Sequence, residues 1–121
     1  MVKLPYKKLL IWQKGMNICT STYALTQSFP KEETYGIIQQ IRRAAVSIPS
    51  NIAEGSQRKS AADFRNFLRI AKGSLAELET QLLLSIELNF TVRESIGSLL
   101  QDIDRLQSMI YSFESKLTSA F

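Results

Sequence analysis

The 121-residue sequence is 45% hydrophobic and 21% charged, with five Gly and three Pro, a globular balance in the size range of one domain that excludes a disordered chain. One cysteine and no histidine exclude an internal disulfide and remove the commonest general base and transition-metal ligand. The formal charge of +4 is uneven: residues 1–72 hold twelve basic and four acidic side chains, and residues 73–121 hold three and seven, which points the first part of the chain toward an acidic partner such as nucleic acid.

From Met1 to Trp12 the only apolar run is Leu9 to Trp12, too short for a signal peptide, so the protein is expected to be cytoplasmic. Every later apolar run falls short of the roughly 20 residues that a membrane-spanning helix needs, so no membrane is expected as a partner. A first helix is predicted through Leu9, Trp12, Met16, Cys19 and Tyr23, with Cys19 as a small buried hydrophobe. The second is opened by Pro30, with Glu32 and Glu33 in its first turn, and runs Ile38, Ile41, Ala45, Ile48 and Ile52 to Gly55. Pro49 lies inside that pattern and predicts a kink or break near Ser47. The third starts after Ser60, with Asp63 three residues on as a relative of the capping box, and continues Phe64, Leu68, Ala71, Leu75, Leu78 and Leu82 to a stop near Asn89. The fourth opens on a capping box, Thr91 to Glu94, and runs Ile96, Leu99, Ile103, Leu106, Ile110, Phe113 and Leu117. Short connections force neighbours antiparallel, so the expected fold is an all-α, up-down antiparallel four-helix bundle spanning residues 1–121 as one domain. Glycines 15, 36, 73 and 97 fall within helices and suggest close contacts.

Ile11, Ile18 and Leu25 recur every seven residues on the first helix, each one position before a residue of the predicted seam. They form a second apolar stripe about 100° around the helix. Together with Leu83, Leu84 and Phe90 it predicts a homo-oligomer with Ile11, Ile18 and Leu25 at the subunit interface, against the alternative of a wide core face.

No catalytic constellation is found. Glu77 and Glu79, like Asp102 and Asp104, sit two apart on a helix and diverge, and the sequence has no Gly-rich phosphate loop, cysteine ligand set or Glu-x-x-His element. No cofactor or metal is expected, and the chain reads as non-enzymatic. The one cluster is basic: Arg58, Arg65, Arg69 and Lys72 fall on one stripe of the third helix and its approach, with Lys59 adjacent and Arg42 and Arg43 of the second helix as an extension. The turn from Gly55 to Ser60 adds free backbone N–H groups at a helix start, suited to a phosphate. Phe64 and Phe67 are spent on packing, so no aromatic is assigned to base stacking.

The stretch Trp12-Gln13-Lys14, the segment Phe29 to Glu33, the run Gln40-Ile41-Arg42-Arg43-Ala44-Ala45-Val46-Ser47-Ile48-Pro49-Ser50-Asn51-Ile52-Ala53-Glu54-Gly55 and the run Phe67 to Gln81 resemble the bacterial 23S ribosomal RNA intervening-sequence protein family, the four-helix bundle proteins. The resemblance covers roughly residues 8 to 90. It implies a cytoplasmic bacterial bundle, encoded in some genomes within insertions in ribosomal RNA genes, that forms a ring-like homo-oligomer, a pentamer. The sequence is also similar to the accessory protein of diversity-generating retroelements, which implies a reverse transcriptase and nucleic acid as partners. Neither relation implies catalytic residues. The leading expectation is an oligomeric accessory protein that binds RNA or DNA through its basic face; the alternative is a protein-interaction scaffold with an acidic protein partner.

Overall fold

The computed structural model describes residues 5–117, which form α1 (Leu10–Thr26), α2 (Ile37–Ser56), α3 (Ala61–Glu87) and α4 (Arg93–Lys116), with 3₁₀ turns at Tyr6–Lys8 and Lys31–Glu33. Each helix packs on two neighbours, α4 closing back onto α1, which gives the expected up-down four-helix bundle. No helix among the described residues is long and apolar enough to cross a membrane.

The core follows the predicted seams of three helices. Ile41, Ile48 and Ile52 of α2, Phe64, Leu68, Leu75 and Leu78 of α3, and Ile96, Ile103, Leu106 and Ile110 of α4 are all fully buried. At roughly 1.5–3 kcal/mol for each such side chain, this burial is the main force holding the bundle together. Phe113 of α4 is half-buried and meets Phe64 edge-on, ring centroids 5.4 Å apart.

On α1 the two stripes exchange roles. Ile11 and Ile18 are only 4% and 1% exposed and sit in the core, in line with Gly15, Thr22 and Thr26, while Leu25 is half-buried against it. Met16 and Tyr23 of the predicted seam are instead 39% and 38% exposed, with Trp12 and Cys19 half-buried between. The physical reason lies in the small residues. Gly15 brings α1 close to α2, where a Cβ at position 15 would lie 3.3 Å from Ile48 Cγ2 and 3.5 Å from Pro49 Cα. The two threonines bury their hydroxyls without loss by donating back along the helix, Thr22 to the Ile18 carbonyl (2.7 Å) and Thr26 to the Thr22 carbonyl (2.9 Å). Partial burial also pushes the Cys19 thiol up from its ordinary pKa, so it stays protonated.

Three further expectations are corrected. Pro30 opens the Lys31–Glu33 turn rather than α2, because Gly36, at φ −109° and ψ −116°, interrupts helical geometry before Ile37. The break near Ser47 does not occur, and α2 runs through Pro49. Pro49 is buried beside Gly15, and Asn51 Nδ2 donates to the Ser47 carbonyl (2.7 Å) and to Ser47 Oγ (2.8 Å), which itself bonds Ser74 Oγ of α3 (2.8 Å). Contacts and side-chain bonds thus support the helix past the missing N–H donor. At the start of α4 the cap position is Val92, with no side-chain cap bond, so the Thr91 capping box does not form. Of the four glycines, Gly15 alone marks a close helix contact: Gly36 lies outside α2, and a Cβ at Gly73 or Gly97 would meet nothing within 4 Å.

The other helix ends are as expected. Ser60 Oγ accepts from the Asp63 N–H at 3.1 Å and caps α3. Asn89 takes φ 62°, while the Phe90 N–H donates to the Ser85 carbonyl and the Asn89 N–H to the Ile86 carbonyl, a Schellman ending that sets Phe90 against Phe29, centroids 6.3 Å apart. The α1–α4 seam is not packed flush. Clefts of about 380, 90 and 150 Å³ follow it, past Leu10 and Phe113, then Lys14 and Asp102, then Ser21 and Ser98.

Candidate nucleic-acid interface

The basic stripe of α3 forms because Arg65, Arg69 and Lys72 each follow a fully buried residue, Phe64, Leu68 and Ala71, and so flank the packed seam. Their surroundings differ. Arg65 Nη1 donates to the Leu117 carbonyl at the end of α4 (3.1 Å), and Lys72 Nζ pairs with Glu114 of α4, whose side chain is only 13% exposed. Both are structural ties across the α3–α4 groove. Arg69 is exposed and bonds only its neighbour Asn66, Nη1 to Oδ1 at 2.6 Å. Arg58 pairs with Glu54 at 2.7 Å and lies 4.7 Å from the Phe67 ring centre. That ion pair is about half exposed, worth roughly 0–1 kcal/mol, so a phosphate can displace it at little cost. Lys59 is exposed in the turn. At the start of α3, Ser60 already takes the Asp63 N–H, and the Asp63 carboxyl occupies the first turn where a phosphate was expected.

Arg42 and Arg43 do not join this stripe. Arg42 Nε donates to Thr26 Oγ1 (2.9 Å), Nη2 lies 3.3 Å from the Tyr23 carbonyl, and the guanidinium sits 4.5 Å from the Tyr23 ring centre. Both arginines therefore belong to the α1–α2 groove, across the bundle from α3–α4. Taking the Ser47–Ser74 bond as the register of α2 on α3, Arg42 is level with Glu79, roughly 10 Å along the axis from Lys72 and 20 Å from Arg65. Tyr23 and the 91% exposed Tyr35 stand beside these arginines. By sequence pattern Tyr23 belongs to the α1 seam and Tyr35 has no role, and Tyr35 in a polar turn just before Arg42-Arg43 is the signal that could have flagged this groove.

Antiparallel packing turns the charge gradient of the sequence into a gradient in space. The half of the bundle that holds the α2–α3 turn, the start of α1 and the end of α4 carries nine basic and three acidic residues among those described; the other half carries five and eight. Ile11, Ile18 and Leu25, packed on or in the core, leave Met16 and Tyr23 of α1, Leu83 and Leu84 of α3 and Leu88 just after it as exposed apolar surface. Among the described residues no group of three or more His, Cys, Asp or Glu is arranged to hold a metal.

Comparison with known proteins finds a family model and solved structures that match this chain. The family model described as 23S rRNA-intervening sequence protein matches residues 7–112. The solved structure of a protein of unknown function from the S23 ribosomal protein family of Bacteroides thetaiotaomicron superposes with a TM-score of 0.78 at 27% identity, covering 87% of this chain and 98% of that one. No curated protein matches.

Proposed function

The chain belongs to the 23S rRNA-intervening sequence protein family, and from that footing we propose that it is a non-enzymatic, homo-oligomeric accessory protein that binds RNA or DNA through the basic end of the bundle. The observation that carries the reading is the nine-to-three excess of basic over acidic residues at that end. Seven cations there are exposed: Lys7, Lys8, Lys14, Arg58, Lys59, Arg69 and Lys116. Protein cations that neutralise phosphates release the counterions condensed on them, so such a surface binds a polyanion in a salt-dependent way and without reading bases. Exposed Met16, Tyr23, Leu83, Leu84 and Leu88 supply apolar surface for self-association.

The test is the salt dependence of duplex binding. Four phosphate contacts give a log–log slope near −3.6, or roughly 150-fold weaker binding from about 50 to 200 mM salt. Changing Lys59 and Arg69 to Glu should flatten the slope and weaken all sequences alike. An unchanged slope in that variant transfers the reading to a scaffold for an acidic protein.

A further inference from the structure

We infer that the α1–α2 groove lined by Tyr23, Tyr35, Ile38, Arg42, Arg43 and Val46 holds an unpaired nucleotide, its base on the Tyr35 ring and its phosphate at Arg43, so that the protein takes single strands there. The inference rests on the nucleic-acid reading above for its ligand class.

The groove is open and about 470 Å³, within the ~300–1,000 Å³ of small-ligand sites. Two of its lining residues are cationic and none is acidic. Arg42 is held by Thr26 and Tyr23 and is therefore a fixed charge, whereas Arg43 is exposed and reaches freely. Tyr35 is 91% exposed, in the turn between Glu33 and α2, and offers a ring face beside those charges. Buried Ile38 and the 42% exposed Val46 add apolar surface. A ring face next to cations is the pairing that binds single strands, because every base has a face to stack and every nucleotide a phosphate. Duplex bases have both faces occupied, so they cannot use the ring. An acidic peptide would use the arginines but has no need of Tyr35. The path from the basic end is clear of carboxylates for most of its length: between them α1 and α2 contain one acidic residue, Glu54.

The experiment is fluorescence anisotropy at about 50 mM salt with a single-stranded oligonucleotide of about 12 nucleotides, its duplex, and a poly-glutamate peptide. Tyr35→Ala should weaken single-strand binding by about 5- to 150-fold, the effect of one lost stacking contact, and leave duplex binding within about twofold. Arg43→Ala should also weaken the single strand, and Tyr35→Phe should bind it as wild type does. Single-strand binding unchanged in Tyr35→Ala, while Lys59→Glu with Arg69→Glu still weakens both nucleic acids, overturns this site and leaves the proposed function standing. Wild-type protein that binds neither oligonucleotide overturns both. Poly-glutamate binding that falls in Arg43→Ala, with oligonucleotide binding unchanged, gives the groove to an acidic protein segment instead.

Discussion

Gly15 of α1 lies directly against Pro49 of α2, with only 3.5 Å between the place of its absent Cβ and Pro49 Cα. Gly15→Val should force the two helices apart at this contact and cost about 1–3 kcal/mol, the usual range for overpacking. Gly73 is the control: with nothing within 4 Å of a Cβ there, Gly73→Ala should stabilise the bundle by up to about 1 kcal/mol. Thermal unfolding of the two variants should shift in opposite directions.

Ile103 is fully buried midway along α4. Ile103→Asp places an unpaired carboxylate among Ile and Leu side chains and should cost several kcal/mol, a large part of the stability of a small bundle. Circular dichroism should show lost helicity at room temperature, and full helicity with an unshifted midpoint would contradict the core described.

The exchange of stripes on α1 gives a paired test. Ile18→Lys buries a charge at a site 1% exposed and should unfold the bundle, whereas Met16→Lys, two positions earlier and 39% exposed, should leave helicity and thermal midpoint close to wild type. If the proposed self-association uses this exposed face, Met16→Lys should also give smaller particles in light scattering.

Lys72 and Arg69 should separate structure from binding. Lys72→Met leaves the sheltered Glu114 carboxylate without its cation and should cost about 1–3 kcal/mol, partly restored by adding Glu114→Gln. Arg69→Glu touches only an exposed pair with Asn66 and should stay within about 0.5 kcal/mol of wild type while weakening nucleic-acid binding.

How much of this was legible depended on whether one helix decided a feature by itself. The α4 seam, unbroken from Ile96 to Ile110, and the Ser60 cap are local and were read correctly. The phase of α1 was not, because two apolar stripes compete there and small residues settle the matter. Gly15, Thr22 and Thr26 look like surface in a hydrophobicity pattern but pack as core. The basic residues were legible as a type and not as a site. Arg65 is bound to a carbonyl 52 positions away, Lys72 to Glu114, and Arg42 to α1, and such partners follow from packing rather than spacing.

The clefts along α1–α4 bear on how the molecule comes apart. These two helices are adjacent in space but far apart in the chain, with no turn joining them, and three clefts lie along their shared seam. The hairpin of α2 and α3, by contrast, is joined by a tight turn and locked by Ser47–Ser74. Thermal breathing therefore starts where α1 and α4 part. Backbone amides of those two helices exchange with deuterated solvent first, and those at the centre of α2 and α3 hold out until the whole molecule unfolds.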